Sequence, residues 1–253
     1  MASTTSGFRP RTCRFCGRTI QPKEVRLSGA AFQIPGSCDC DGARAQRAAD
    51  EEAERRERAA RLAELRRAIY RAAGIRPRFM GAVPDPANVP HVETGGNLYI
   101  VGDTDAGKTH AATALVKAYI DAHVREAFGG HLTCNRVARI INVPDLMSEW
   151  KATYDGSGTE EDVTRRYGDA DLLVLDDMGK GAPTAWALER LFQIVNRRYD
   201  NLRPTVVTTQ YEPPALGRRL AETGDRETAR AIVRRLTCGD TRRILLTKEA
   251  RHG

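Results

Sequence analysis

At 253 residues and a net charge of +7, with 41% apolar residues, the chain can hold one full α/β domain plus a small appendage and is not a disordered tail. No run approaches the ~20 apolar residues of a membrane span, and Met1 through Arg14 lacks the apolar core of a secretory signal, so a cytoplasmic location is expected. The basic balance favours an anionic partner such as nucleic acid, but only six of the forty basic residues are lysines. An arginine excess also follows from GC-rich coding, so clustering has to carry that argument.

Residues 1–42 hold two tight cysteine pairs, Cys13-x2-Cys16 and Cys38-x-Cys40. Each pair offers two sulfurs from one turn, the spacing of a tetrahedral thiolate site for Zn²⁺, although reduced structural thiols or a redox pair have the same composition. Gly17, Pro22, Gly29, Pro35 and Gly36 leave few large apolar residues here, so bound metal would supply the missing stability. Cys134 and Cys238 lie far away and read as buried hydrophobes.

A long linker helix is expected over 43–73. Glu51/Arg55, Glu52/Arg56, Glu54/Arg58 and Glu57/Arg61 are acid-to-base pairs at i,i+4, and Leu62, Leu65, Ile69 and Ala72 form an apolar stripe on its second half. Gly74 and Pro77 end it, and Pro84, Pro86 and Pro90 mark an irregular connection. The remainder, 74–253, reads as one α/β domain.

There, the apolar run Leu98-Tyr99-Ile100-Val101 feeds Gly102-Asp103-Thr104-Asp105-Ala106-Gly107-Lys108-Thr109, which fits G-x-x-x-x-G-K-[ST]. The two glycines let backbone N–H groups converge on an anion at the start of a helix; Lys108 would reach the β/γ-phosphates, and the Thr109 hydroxyl would hold Mg²⁺. That helix is expected to run from Lys108 to about Ala127, followed by a strand over 137–143 and a helix started by Pro144. Asp171-Leu172-Leu173-Val174-Leu175-Asp176-Asp177 is a buried strand delivering two acids, Asp176 for Mg²⁺ and Asp177 for the attacking water. A helix from Thr184 to Tyr199 and a strand over Thr205–Thr209 complete the alternation, with Gln210 at that strand's carboxyl end. The expected fold class is α/β, a P-loop NTPase with a parallel sheet flanked by helices and preceded by the zinc module and charged helix. Arg197-Arg198, Arg218-Arg219, Arg234-Arg235 and Arg242-Arg243 could line a phosphate groove, or simply be solvated helix faces.

Gly74-Ile75-Arg76-Pro77-Arg78-Phe79, Asp176-Asp177-Met178-Gly179, Trp186, Arg198-Tyr199 and Arg203-Pro204-Thr205-Val206-Val207-Thr208-Thr209, in that order, resemble the DnaC-type helicase loaders and the related IstB-type transposition helpers of the AAA+ class. The resemblance runs from Gly74 onward. It implies that Gly102–Thr109 is the Walker A loop, Asp176 and Asp177 are the Walker B pair, and Gln210 takes the sensor-1 place where many relatives have Asn. It also implies a trans-acting arginine finger among Arg230, Arg234 and Arg235, with Arg251 as a second sensor. The function implied is ATP-dependent loading of a hexameric DnaB-type replicative helicase onto single-stranded DNA during replication initiation. Homo-oligomers would assemble on the DNA while the amino-terminal module grips the helicase. Two other readings remain: a transposition helper acting with a transposase, and a non-catalytic nucleotide-gated adaptor.

Overall fold

The computed structural model describes residues 9–27, 30–127, 131–156, 158–181 and 184–247. It divides into two compact units at Ala63/Glu64; Arg251 lies outside the described residues.

The first unit contains β1 (Arg11–Thr12) paired antiparallel with β2 (Thr19–Ile20), the hairpin of β3 (Lys23–Leu27) and β4 (Ala30–Ile34), and the first part of α1 (Asp41–Ala72). The β1–β2 turn is a cysteine knuckle: Cys13 N–H donates to the Arg18 carbonyl at 2.8 Å, Gly17 N–H donates to the Cys13 carbonyl at 2.9 Å, and Gly17 takes φ 70°. Between residues 9 and 40, among the described side chains, only Cys13 and Gly36 are buried. On α1, Glu52 pairs with Arg56 at 2.9 Å and with Arg55 at 3.1 Å, the expected spacing plus a neighbour.

The second unit begins within α1, where Tyr70 is buried together with Ala73 and Ile75 just beyond the helix, and Ile69 packs against them. Of the expected stripe, Ala72 is exposed, because the helix turns its Tyr70/Ala73 face to the core. The Tyr70 hydroxyl donates to Asp121 at 2.6 Å. There follow α2 (Val89–Glu93), β5 (Asn97–Gly102), α3 (Lys108–His123), β6 (Val124–Ala127), β7 (His131–Cys134), β8 (Ala138–Asn142), α4 (Val143–Ala152) and α5 (Glu160–Gly168). Then come β9 (Leu172–Met178), α6 (Ala185–Asp200), β10 (Thr205–Thr209), α7 (Pro213–Leu220), α8 (Arg226–Thr237) and β11 (Thr241–Leu246).

Five strands form a wholly parallel sheet in the order β11-β5-β10-β9-β8. Alternation along buried strands sorts their side chains into two layers. Leu98, Ile100, Leu172, Val174 and Val206 pack with Val116 and Ile120 of α3. Tyr99, Val101, Leu173, Leu175 and Val207 pack with Leu188 and Ile194 of α6 and Ile232 of α8. The β8 edge is closed by the chain leaving α1: Ile140 N–H donates to the Ala73 carbonyl at 2.8 Å. Gly74, at φ 96°, sits so close that a Cβ would lie 2.2 Å from the Ile140 carbonyl oxygen.

The helix expected to reach Ala127 stops at His123. Val124 swings to ψ 130° and buries its β-branched side chain, and Val124–Ala127 pairs antiparallel with His131–Cys134. Cys134 and Cys238 are half-buried rather than core residues.

At the amino ends of β9 and β10 lies a fully buried arginine, Arg198. It donates to Thr205 Oγ1 at 3.0 Å, to the carbonyls of Tyr167 (3.0 Å), Gly168 (3.3 Å) and Ala170 (2.6 Å), and to Pro204 O at 2.5 Å. Burial pushes its pKa down to about 9, and the ring of oxygens keeps the cation tolerable at neutral pH. Replacing it by methionine strands those carbonyls without a donor. Arg198→Met is expected to cost about 3–5 kcal/mol in urea unfolding, and a loss under about 1 kcal/mol would refute this role.

Candidate functional site

β5 delivers the phosphate loop to the carboxyl edge of the sheet. Gly102 has no room for a side chain, since a Cβ would meet the Leu246 carbonyl oxygen of β11 at 2.3 Å. Asp103 and Ala106 close a turn, Ala106 N–H to Asp103 O at 3.2 Å. Asp105 (φ 67°) and Gly107 (φ 92°) take left-handed conformations, wrapping the loop around the start of α3. Lys108 is buried, and its ammonium spans the loop to Gly102 O (2.9 Å) and Asp103 O (2.7 Å).

Thr109 Oγ1 lies 3.0 Å from both carboxylate oxygens of Asp176, the residue 4% exposed near the end of β9. The partner strand β10 supplies Thr208, whose hydroxyl donates to Asp176 Oδ1 at 2.6 Å and accepts the Asp177 N–H at 2.9 Å. Desolvation raises the Asp176 pKa, against the Thr208 hydrogen bond, which lowers it. Asp177 takes φ 57°, and its Oδ2 accepts from Asn142 Nδ2 (3.1 Å) and Lys180 Nζ (3.0 Å). Gln210 reaches back over the loop: its Oε1 lies 3.5 Å from Thr104 Oγ1, and its Nε2 donates to the Tyr211 hydroxyl at 3.1 Å.

A cavity of about 410 Å³ joins these groups, lined also by Arg76, Arg78, Phe79 and His110. Its cations suit a polyphosphate. The Thr109 hydroxyl and Asp176 carboxylate are the hard oxygen donors that Mg²⁺ takes. Sequence reasoning missed Thr208, Asn142 and Lys180 as members of this site. Lys180 was legible as a cation three residues after Asp177 across a glycine, whereas Thr208 and Asn142 depend on strand register.

The arginine candidates divide between two faces of α8. Arg230 and Arg234 are exposed and line a groove with Arg218 and Arg226. Arg235 instead turns toward α6, donating to Asn196 Oδ1 at 2.8 Å and lying 4.9 Å from the Phe192 ring.

In the first unit, Cys13, Cys16, Cys38 and Cys40 bring four sulfurs within 4.8 Å of one another. Cys13 and Cys40 are 3.8 Å apart, and Cys16 and Cys38 are 3.4 Å apart; ~3.8 Å is the edge of a tetrahedron with ~2.3 Å zinc–sulfur bonds. The N–H groups of Cys16 and Phe15 lower the Cys13 thiol to about 6. The Cys40 N–H acts to lower Cys38 too, but the neighbouring Cys16 thiol and desolvation win and raise it to about 11. Crowded thiolates of this kind are what a dication relieves, so the donor set fits Zn²⁺.

The sheet order, with a phosphate loop after β5 and paired acids at the end of β9, defines a P-loop NTPase fold of the AAA+ class. The chain belongs to the IstB-like ATP binding protein family, whose pattern matches residues 44–244. It is 30% identical over 122 residues to the replicative helicase loader DnaC of Escherichia coli (strain K12), a match covering 48% of this chain and 45% of that protein. It is 34% identical over 86 residues to the loader DnaC of Buchnera aphidicola subsp. Baizongia pistaciae (strain Bp), covering 33% and 35%. The matches thus span less than half the length of these curated relatives. Among solved structures, the DnaC helicase loader aligns with TM-score 0.51 and 22% identity over 68% of this chain and 99% of that one. DnaI aligns with TM-score 0.51 and 22% identity over 63% and 79%. Among the described residues no helix is long and apolar enough to cross a membrane.

The Thr208 bonds generate a stability test. Thr208→Val keeps the shape, removes a donor from a buried carboxylate and orphans the Asp177 N–H. A loss of about 1–3 kcal/mol in urea unfolding is expected, and an unchanged midpoint would contradict it.

Proposed function

We propose that this chain is an ATP-switched loader that delivers a hexameric DnaB-type replicative helicase to single-stranded DNA. The observation that carries the ATPase half is Thr109 Oγ1 held 3.0 Å from both oxygens of Asp176, which joins the phosphate loop to the acid pair in one cavity. The similarity to replicative helicase loaders DnaC supports the loader half and favours it over a transposition helper, which the family match would equally admit.

In this reading, Gly102 through Thr109, including Asp103, Thr104, Asp105 and Ala106, form the cradle for ATP. Lys108 supplies its charge, and Thr109 with Asp176 holds Mg²⁺. The bound metal would neutralise charge on the β- and γ-phosphates. Asp177 takes the proton of the attacking water, and Gln210, bonded beside Thr104, orients that water through its amide. Arg230 or Arg234, free of the packing that engages Arg235, is offered to the nucleotide of a neighbouring copy, where a cation stabilises transition-state charge. The same groove, with Arg218 and Arg226, would contact DNA phosphates, whereas Arg198 is buried and Arg197, Arg219 and Arg235 are engaged within the fold. The cysteine unit, with Zn²⁺ on Cys13, Cys16, Cys38 and Cys40, and the adjoining helix would hold the helicase in the cytoplasm.

Two experiments test this. Lys108→Ala should weaken ATP binding at least tenfold. Asp177→Asn should bind ATP normally and turn it over at least a hundredfold more slowly, with and without single-stranded DNA. Both variants should fail to deliver the helicase in a loading assay. Wild-type turnover in Asp177→Asn, or loading that does not need ATP, would overturn the assignment. Separately, protein purified without chelator should carry one zinc per chain by elemental analysis. Cys38→Ser should expose residues 9–40 to proteolysis while ATP affinity stays unchanged, and metal-free protein with a protease-resistant amino-terminal unit would sink the zinc assignment.

A further inference from the structure

The turn after β9 carries a cation that the phosphate-loop motifs do not require. Lys180 N–H donates to the Asp177 carbonyl at 3.1 Å, closing the turn Asp177-Met178-Gly179-Lys180, and its ammonium folds back to Asp177 Oδ2 at 3.0 Å. The turn is rigid. Gly179 takes φ 88°, and a Cβ there would meet the Tyr211 ring at 2.9 Å. Arg219 of α7 pins the loop from behind, donating to Gly179 O at 3.3 Å and to Gly181 O. The Lys180 side chain is nevertheless 67% exposed and lines the same cavity as Lys108, Thr109 and Asp176.

We propose that Lys180 is a triphosphate-sensing residue that exchanges Asp177 for the terminal phosphate of the nucleotide; this rests on the ATP reading above. Without nucleotide, Lys180 and Asn142 share one oxygen of the Asp177 carboxylate, so the proposed base is held neutralised. An ion pair this exposed is weakly held, and a terminal phosphate carries more negative charge than a single carboxylate, so the ammonium moves to the phosphate when one is present. Asp177 is then left with the Asn142 amide, which orients it without cancelling its charge. Of the other cations lining the cavity, Lys108 spans two loop carbonyls, Arg76 is bound to Asp145 and Arg78 lies 5.8 Å from the Phe79 ring, whereas Lys180 is the one paired with Asp177. A diphosphate lacks the terminal group and leaves Lys180 on Asp177. Triphosphate and diphosphate are thereby distinguished by a residue of the same chain, before any neighbouring copy contributes.

The test uses the full chain with Mg²⁺ and measures dissociation constants for the β,γ-methylene analogue of ATP and for ADP by titration calorimetry. Lys180→Ala is expected to weaken the analogue about tenfold while ADP affinity stays within about twofold, and Lys180→Arg, which keeps the charge, is expected to restore most of the preference. Equal weakening of both nucleotides by Lys180→Ala, or no change in either, overturns the inference while leaving the ATP reading intact, provided Lys108→Ala abolishes binding. Wild-type protein that binds neither nucleotide overturns both.

Discussion

A carboxylate cannot be taken out of water unless something replaces its hydration, and Asp176 is such a group, nearly buried at the carboxyl edge of the sheet with two threonine hydroxyls as replacements. Those hydroxyls come from different elements, Thr109 from α3 and Thr208 from β10, so the acid fastens the phosphate-loop helix to two adjacent strands. The parallel register that pairs Val206 with Val174 and Val207 with Leu175 sets Thr208 beside Asp176. The shift in register just beyond Val207 accompanies the left-handed backbone of Asp177, which turns the second acid toward the cavity. Hydroxyl groups solvate a carboxylate only partly, and its pKa stays raised.

The opposite edge of the same sheet carries the opposite charge. Arg198 lies where β9 and β10 begin, satisfied by one hydroxyl and four carbonyl oxygens rather than by a carboxylate. It ties the end of α5 to the segment before β10, and Arg197 reinforces the joint with two bonds to Asp169 at 2.8 and 2.7 Å. Strand ends in α/β sheets divide labour in this way: carboxyl ends face ligand and amino ends carry stability. The Arg198-Tyr199 and Arg203-Pro204 motifs, which resembled a family when read as letters, are therefore structural ones. Arg198 is the clamp, and Pro204 supplies one of its acceptors.

What was legible in the sequence was local. The phosphate loop, the acid-tipped strand and the strand over Thr205–Thr209 announce themselves within eight residues each, and the start of α6 at Thr184 is marked by its cap, which accepts the Ala187 N–H at 3.1 Å. The tail of α3 misled because Val-Arg-Glu-Ala is compatible with a helix, and only pairing with His131–Cys134 makes it a strand. α8 carries a helical pattern in plain view, Ala229, Ile232 and Leu236 lying at i, i+3 and i+7 with arginines between them. Within the site, Thr208 and Asn142 were invisible for a related reason. A threonine in a β-strand run is unremarkable until the register shows which acid it stands beside, and Asn142 matters because it is paired in register with Asp176.

The two units are stabilised by different means. Every residue of the two large apolar clusters lies at Ile69 or beyond, whereas residues 9–40 bury little besides Cys13 and Gly36 among their described side chains. A segment without a core of its own must obtain its order from cross-links, and the four sulfurs are the only set of that kind available among its described residues. A metal held there would act on the amino-terminal unit, while the nucleotide-site residues all lie in the second unit. On the reading proposed above, the zinc ligands and the nucleotide site are thus carried by different units of the chain.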